Sequence, residues 1–501
     1  MRALRIASFL FLCSPLAGQS DLPNLVMVFA DDMGYGDPQA YNPRSRVPTP
    51  HIDALAERGM RFTDAHSASS VCTPSRYGLL TGRYPWRSRL PVGIVNSWGG
   101  PVIDPDRLTL GKALQAKGYE TACIGKWHLG WDWPLKDGGY LSAELEGVNV
   151  GRNYEEFGKR IDFARPLRDG PTTRGFDYYF GDDVPNFPPY AFIENDRVLG
   201  DPTDRMPINK GQRAGPMIPR WDLWAAQPTI TARAAQWLEE RTRDPDVPFF
   251  LYLPLLGPHT PIVPNAANRG TSAAGPYGDW VHQMDAILGT VVGILERSGA
   301  IDNTIVLFTS DNGSPARSGI GSFGATNTVT ELYSHVPNAP WRGLKADAWE
   351  AGHRVPFIIR WDGRIAAGAE NSRTVCLTDV FATIAEIVGF EVPAGAGEDS
   401  FSLAPLLFGT GTYQRTVTVH HSQTGVFAIR AGSWKLILGD GSGGFSSPRG
   451  TALRLGEDGP MQLYLLSEDP RERRNLARAR PGKKAELLDE LTRIHRAGRS
   501  R

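Results

Sequence analysis

The sequence predicts an α/β fold in which a large, mainly parallel sheet lies between layers of helices. Uninterrupted apolar runs at residues 25–30, 249–253 and 305–309 have the length and composition of strands buried on both faces. Segments with helical spacing separate these runs, and polar residues follow closely after each one. Polar groups at strand ends are typical of the ligand-binding edge of an open α/β sheet.

A chain of 501 residues exceeds what one hydrophobic core usually supports, so we expect one large domain and one smaller one. Lysine and arginine total 54, as do aspartate and glutamate, which gives a formal net charge of zero. Because there is no basic excess, the composition does not favour nucleic acid or an anionic membrane as a partner. Any anion binding must be local.

The amino terminus has the pattern of a secretory signal peptide. Residues 1–5 carry two arginines, residues 6–13 are apolar, and small and polar residues extend to Ser20. We therefore predict a cleaved signal at residues 1–20, a secreted or periplasmic location and no stable membrane anchor. Cys123 and Cys376 lie in apolar runs and are expected to be buried thiols rather than a disulfide.

The remaining elements follow from the same periodicities. Residues 131–228 are irregular and rich in glycine, proline and aromatic residues, which predicts a long rim around a functional site. Short strands with Gly-rich turns predict a smaller α+β domain at 401–501, after a catalytic domain at 21–400. The predicted strands are 25–30, 119–125, 249–253, 305–309, 357–359, 417–420, 426–430, 434–438 and 462–466. The predicted helices are 50–58, 108–117, 230–238, 279–298, 379–388 and 484–495.

Four predicted strands end in residues with chemically useful side chains. These are Asp31 and Asp32, Lys126 and His128, His259, and Asp311 and Asn312. Each has an ordinary structural interpretation: a helix cap, a solvated charge, a core histidine or a turn former. Their recurrence at strand ends favours a shared site, and carboxylate and amide oxygens without nearby Cys/His pairs suit Ca²⁺ or Mg²⁺ rather than zinc.

A further candidate lies in residues 69–83. Thr73 is suited to cap a short helix that Pro74 begins and Gly82 ends. Cys72 then precedes a helix N-terminus, where backbone N–H groups favour an anion or a thiolate. The residues alone leave two interpretations, a reactive cysteine beside an anion site or a buried cysteine before a helix.

The pattern Cys-x-Pro-Ser-Arg followed by Leu-Thr-Gly-Arg resembles the signature of the type I sulfatases. The resemblance extends to Gly-Lys-Trp-His-Leu-Gly at 125–130, Pro-His-Thr-Pro at 258–261 and Ser-Asp-Asn-Gly at 310–313. It implies an alkaline-phosphatase-like fold, with a large mixed sheet between helices and a small four-stranded C-terminal sheet. Two departures, Ala351 in place of a glycine and Leu465 in place of an aspartate, touch no catalytic position that the resemblance implies.

The same resemblance implies roles for the candidate residues. A formylglycine-generating enzyme would convert Cys72 to formylglycine, whose hydrate is the nucleophile. Ca²⁺, or alternatively Mg²⁺, would be held by Asp31, Asp32, Asp311, Asn312 and the modified Cys72. Arg76 would orient the hydrate, Lys126 and Lys345 would bind sulfate oxygens, His259 with Lys345 would protonate the leaving alcohol, and His128 would remove a proton so that sulfate is released.

The sequence thus indicates a hydrolase of sulfate monoesters. Sulfated sugars are the favoured substrates, because a secreted enzyme with an aromatic-rich rim suits polysaccharide, and aryl sulfates are also expected. One alternative is a phosphonate or phosphate ester hydrolase of the same superfamily. The other is a non-catalytic protein that binds sulfated glycans, against which the complete set of acid–base residues argues.

Overall fold

The computed structural model describes residues 22–151, 154–207, 212–319 and 325–501. The predicted signal peptide lies outside these residues. The strands are β1 (Asn24–Asp31), β2 (Met60–Phe62), β3 (Ala65–His66), β4 (Glu120–Ile124), β5 (Tyr178–Gly181), β6 (Ile193–Glu194), β7 (Arg197–Val198), β8 (Asp204–Met206), β9 (Gly215–Met217), β10 (Phe249–Pro258), β11 (Thr304–Ser310), β12 (Phe357–Arg360), β13 (Ala369–Asn371), β14 (Val375–Cys376), β15 (Val417–His421), β16 (Phe427–Ala431), β17 (Trp434–Ile437) and β18 (Gln462–Leu465). The helices are α1 (Pro50–Arg58), α2 (Cys72–Thr81), α3 (Leu110–Gln115), α4 (Tyr154–Arg160), α5 (Leu223–Arg241), α6 (Gly275–Ser298), α7 (Thr328–Tyr333), α8 (Glu350–His353), α9 (Asp379–Ile387), α10 (Ala404–Phe408) and α11 (Pro481–Ala497).

Within the described ranges the main sheet has ten strands in the order β13-β2-β12-β11-β1-β10-β4-β5-β6-β7. The central strands β11, β1, β10, β4 and β5 are parallel, and β12 runs antiparallel to β11. The register places Leu25 opposite Ile305 on one side and Phe250 on the other. The sheet is therefore mixed, as the resemblance implied.

Alternate side chains of β1 enter two separate cores, which explains its uninterrupted apolar sequence. Leu25, Met27 and Phe29 pack with residues of α2, α3 and α9, whereas Val26 and Val28 pack with residues of α1, α5 and α6. Both faces of the sheet are thus covered by helices, as parallel sheets require. The fold is α/β in three layers.

The carboxyl-terminal part forms a four-stranded antiparallel sheet in the order β15-β16-β17-β18. Helix α11 packs on it through Leu487, Leu491 and Ile494, and the shared core also takes in Tyr84 and Trp86 from the segment after α2. The predicted small sheet is therefore confirmed. The division of the chain at residue 400 stays a prediction.

Several boundaries differ from prediction. Helix α2 begins at Cys72 after Val71, and the Thr73 side chain does not cap it, because its hydroxyl instead donates to the carbonyl of His128. Helix α6 begins at Gly275 rather than at 279, since a proline in its first turn supplies a helical φ angle. The cysteines Cys123 and Cys376 are buried free thiols, as predicted. No helix in the described segments is long and apolar enough to cross a bilayer.

Candidate active site

The carboxyl ends of four neighbouring parallel strands meet at one edge of the main sheet. Strands β11, β1, β10 and β4 lie side by side, and they end next to Asp311, Asp31, His259 and Lys126 respectively. The sequence predicted polar residues at these strand ends, but it did not predict the order of the strands in the sheet. The observed order makes them neighbours, so the predicted convergence of strand ends is confirmed.

Helix α2 brings Cys72 to this edge. Gly82 ends the helix in the left-handed conformation, with φ of 62°, and its N–H donates to the carbonyl of Gly78. At the other end Thr73 accepts a hydrogen bond from the backbone N–H of Val95 at 3.1 Å, which ties the helix to the loop behind His128. Cys72 is buried, and the Nζ of Lys345 donates to its Sγ at 3.2 Å.

Arg76 contacts the group of charged residues formed by Asp31, Lys126 and Asp311. Its guanidinium donates to Asp311 Oδ2 at 3.1 Å and to the carbonyl of Lys126 at 3.0 Å. Lys126 in turn donates from Nζ to Asp31 Oδ2 at 2.6 Å. All four residues are completely buried, so these charges interact with little screening by solvent.

Asp32 lies at the centre of the remaining site residues and contacts several of them. Its backbone has φ of 68°, in the left-handed region, and its N–H donates to Asp311 Oδ1 at 2.9 Å. Its carboxylate pairs with Lys345 Nζ at 2.6 Å and accepts from Asn312 Nδ2 at 2.7 Å. His259 Nε2 is 3.8 Å from the other carboxylate oxygen. The structure therefore brings all ten predicted site residues together.

The oxygen atoms of this cluster fit a divalent cation. Asp31 Oδ1 and Asn312 Oδ1 are buried and accept no hydrogen bond from any residue that the structure describes. Ligand atoms of Asp31, Asp32, Cys72 and His259 all lie within 4.8 Å of one another. The guanidinium of Arg76 lies 3.5 Å from Asp31 Oδ1 and makes no hydrogen bond to it. Buried oxygens without hydrogen bonds are costly unless a ligand or cation pairs with them, and the carboxylate and amide oxygens of the cluster are the hard donors that Ca²⁺ or Mg²⁺ prefers.

The surroundings of Cys72 keep its thiol neutral. Burial raises the pKa of Cys72 to about 12, and the opposing effect of Lys126 and Lys345 does not offset it. Desolvation therefore outweighs the neighbouring positive charges and the helix N-terminus, and the unmodified side chain is a thiol. Burial and the nearby Asp31 raise the pKa of Asp311 to about 7, as expected for carboxylates crowded into one site.

The two histidines are held as neutral rings with defined tautomers. Burial lowers the pKa of His128 well below its ordinary value, and burial and Lys345 lower the pKa of His259 to about 4. The Nε2 of His128 lies 3.0 Å from the carbonyl of Val95, so it carries the proton and leaves the buried Nδ1 as an acceptor. Likewise, the Nδ1 of His259 donates to the carbonyl of Thr260.

Two acidic residues at this edge were missed from the sequence. Asp183 Oδ1 accepts a hydrogen bond at 3.1 Å from the backbone N–H of His128, whose φ is 53°. Asp182 is buried beside it, and burial raises the pKa of both carboxyls. They directly follow β5, as Asp31 and Asp32 follow the apolar run of β1. The signal was available, but the irregularity of residues 131–228 obscured it.

A mixed sheet whose central parallel strands end in buried carboxylates, lysines and histidines around one cysteine defines an alkaline-phosphatase-like hydrolase. The comparisons with known proteins identify the group within this class. The Sulfatase family model matches residues 23–390. The N-acetylgalactosamine-6-O-sulfatase of Bacteroides thetaiotaomicron is 31% identical over 95% of this chain and 93% of that protein. Human arylsulfatase A is 30% identical over 94% of this chain and 87% of its own length.

Solved structures agree with these relatives. One from work on the metabolism of multiple glycosaminoglycans by Bacteroides thetaiotaomicron has a TM-score of 0.78 and 30% identity, and the match covers 95% of this chain and 99% of that one. The phosphonate monoester hydrolase of Agrobacterium radiobacter, at 18% identity and a TM-score of 0.56 over 95% of this chain and 96% of its own, shares the fold alone. The chain belongs to the sulfatase family and is an enzyme that hydrolyses sulfate esters.

Proposed function

We propose that Cys72 is converted to formylglycine, that Asp31, Asp32, Asp311 and Asn312 hold a calcium ion beside it, and that the mature enzyme cleaves sulfate monoesters of sugars. The observation that carries this proposal is the convergence of Lys345 and the buried carboxylates on Cys72, with Lys345 Nζ 3.2 Å from its Sγ. Magnesium is the alternative cation. The partner required for maturation is a formylglycine-generating enzyme, met along a secretory route that the predicted signal at 1–20 would provide.

The state of the thiol supports the modification. A thiol whose pKa is raised to about 12 is a poor nucleophile at neutral pH, because almost none of it is ionised. A hydrated aldehyde at this position would supply two hydroxyls, one to attack sulfur and one to let sulfate leave. The cation would supply positive charge to the sulfate oxygens and lower the pKa of a hydroxyl bound to it.

The cationic side chains at this edge bind and orient the ester. Lys126 and Lys345 are held by carboxylates, at 2.6 Å from Asp31 and Asp32 respectively, so their ammonium groups are fixed before substrate enters. Charges fixed in advance stabilise the negative oxygens of the transition state without reorganisation. Arg76, which donates to Asp311 and to the Lys126 carbonyl, keeps the attacking group and these charges aligned.

The tautomers assign the proton transfers. His128 presents an unprotonated Nδ1, so it is suited to remove a proton from a hydroxyl at position 72. Lys345 holds a proton firmly, since the negative charge of Asp32 raises its pKa against the effect of burial. His259 lies beside Asp32, as Lys345 does, and the negative charge of a bound ester would raise the pKa of His259. Lys345 and His259 would together protonate the leaving alcohol.

The relatives support a sugar substrate. The relative from Bacteroides thetaiotaomicron is an N-acetylgalactosamine-6-O-sulfatase, and the alignment covers nearly all of both chains. Arylsulfatase A supports activity on aryl sulfates as well. Since both relatives act on sulfate esters, we favour sulfate over phosphate or phosphonate.

The modification is tested by the mass of the tryptic peptide 62–76 from protein coexpressed with a formylglycine-generating enzyme. We expect aldehyde in place of thiol, and hydrolysis of an aryl sulfate that exceeds hydrolysis of the matched aryl phosphate. The Cys72→Ala protein should do neither. Full activity with an intact thiol, or faster cleavage of the phosphate, would contradict the proposal.

The cation is tested by thermal unfolding of metal-free protein titrated with Ca²⁺. A ligand that binds only the folded state adds about 2.7 kcal/mol to the free energy of unfolding at a hundredfold excess over Kd, and the Tm rises accordingly. We expect this shift to disappear in the Asp311→Ala protein. An equal shift in wild type and variant would place the calcium ion elsewhere.

A further inference from the structure

An arginine-lined cavity lies outside the residues described so far. It has a volume of about 830 Å³, within the range of ligand sites, and Arg44, Arg342, Arg471 and Arg473 line it together with Trp341. We call this group the arginine cavity. It gathers four guanidinium groups in a chain whose formal net charge is zero.

The positive charges of this cavity are not neutralised by the protein. None of its lining residues is acidic, and none of its four arginines forms an ion pair with a carboxylate in the described parts of the chain. Arg354 and Arg430 differ, since they pair with Asp64 at 2.9 and 2.7 Å. Like charges gathered without counterions repel one another, and a bound anion would relieve this repulsion.

Part of the cavity is rigid and part is free to adapt. The Arg342 guanidinium stacks on Trp349, with 3.5 Å from its central carbon to the ring centroid, and it donates to the carbonyl of Glu472. Arg44, Arg471 and Arg473 are exposed at the rim. The half-buried Trp341 also lines the cavity; the Arg354 guanidinium covers one face of its ring at 3.6 Å from the centroid, which leaves the other face for a ligand. A flat ring beside planar, bidentate donors suits a sulfated saccharide.

The arginine cavity adjoins the chain segment that reaches the active site. Three residue steps separate Arg342 from Lys345, so their Cα atoms are at most about 11 Å apart, at roughly 3.6 Å per residue. Lys345 is the residue whose Nζ contacts Cys72. One short segment therefore carries both Arg342 of the cavity and Lys345 of the catalytic edge.

We propose that the arginine cavity is a second binding site for sulfated polysaccharide, which holds sulfate groups of the chain away from the ester that is cleaved. This inference rests on the sugar substrate proposed above. Arg44, Arg471 and Arg473 bind sulfate oxygens, Arg342 provides the fixed base of the site, and Trp341 contacts a sugar ring. The site raises affinity for polymer without taking part in chemistry.

The test removes the three exposed charges by Arg44→Gln, Arg471→Gln and Arg473→Gln in one protein. Loss of three exposed arginine–sulfate pairs is expected to weaken the affinity for the polysaccharide about tenfold. We therefore expect the KM for chondroitin sulfate to rise about tenfold, whereas kcat and KM for a small aryl sulfate stay unchanged. The control carries Arg243→Gln, Arg478→Gln and Arg496→Gln, which remove equal charge at exposed positions outside the cavity.

Binding is also measured directly in the Cys72→Ala background, which cannot turn over. Chondroitin sulfate should bind about tenfold more weakly to the triple variant, and its chemically desulfated form should bind neither protein appreciably. Equal losses in variant and control, or tighter binding of polyphosphate or duplex DNA, would overturn the inference. Wild-type protein that binds the sulfated chain but hydrolyses no sulfate ester would contradict the proposed function alone.

Discussion

At the scale of single residues, the site is organised by what burial does to each charge. Desolvation holds Cys72, His128 and His259 neutral, whereas Lys126 and Lys345 are each paired with a carboxylate at 2.6 Å. The neutral groups are those to which the proposed reaction assigns a change of bonding, and the paired lysines are those to which it assigns binding of the anion. This division between neutral and charged groups follows from where each side chain lies.

The role of His128 gives a test at this scale. His128→Gln removes the unprotonated Nδ1, so kcat on an aryl sulfate should fall by about 10²–10⁴-fold, the usual worth of a general base. One equivalent of alcohol should still be released quickly, because the first step does not use this base. The burst measures release of the alcohol, and the steady-state rate measures the later step that releases sulfate. The exposed His51→Gln is the control, and an unchanged kcat in the His128 variant would contradict the role.

At the scale of elements, the short helix α2 must be held in place at both ends. Its N-terminus is tied to the His128 loop through Thr73, and its C-terminus ends at Gly82, against which Phe381 of α9 packs. Gly82 has φ of 62°, and a Cβ there would lie 2.9 Å from the Cβ of Phe381. The close packing of α2 on α9 therefore depends on a glycine at this position.

Gly82→Ala tests the placement of α2. A left-handed alanine costs about 1 kcal/mol by itself, and the clash with Phe381 adds to it. Gly389→Ala is a matched control, because Gly389 has φ of 63° and a methyl group added there would meet no described atom within 4 Å. Urea unfolding should show a larger loss of stability for Gly82→Ala, together with reduced kcat. Equal losses in the two variants would mean that packing on α9 is unimportant.

At the scale of the whole molecule, a buried ionic network joins the small sheet to the segment that carries Lys345. Lys435 of β17 lies 3.0 Å from Glu350 and 3.0 Å from Glu472. Beside it, the rings of His353 and His420 stack with centroids 4.0 Å apart. Breaking such a buried network is costly, so the two sheets should hold their relative position only while these groups keep their charge states.

Buried histidines in and around this network predict loss of stability in acid. Burial lowers the pKa of His66, His353 and His420, and that of His421 to about 4, whereas unfolded histidine titrates near 6.5. Below about pH 6.5 the unfolded chain therefore binds more protons than the folded one. Stability is full above this pH and should fall by up to about 1.4 kcal/mol per pH unit for each such histidine.

Carboxylates with lowered pKa values also lose stabilising interactions as the pH falls, but they do so at lower pH than the histidines. Arg430 and Arg354 lower the pKa of Asp64 against the effect of burial, and that contribution is lost as pH falls below about 4. Urea unfolding between pH 8 and 5 measures the histidine part. A flat profile in wild type would contradict the prediction.

The sequence by itself determined the elements of this protein and its family. Uninterrupted apolar runs located β1, β10 and β11, since burial on both faces leaves no alternation of polarity. Glycine and proline fixed the ends of α1 and the end of α2, and the residues around Cys72 indicated the family. These signals are short-range, so they are complete within a few consecutive residues.

Tertiary structure alone decided how those elements meet. The order of strands makes Asp31 a neighbour of Lys126 and Asp311, although the chain separates them widely. The neutrality of Cys72, the hydrogen bond from His128 to Asp183 and the gathering of Arg44 with Arg471 depend on burial and on contacts distant in sequence. Electrostatic energies are set by distance in space and by exclusion of water, and neither quantity is local to the chain.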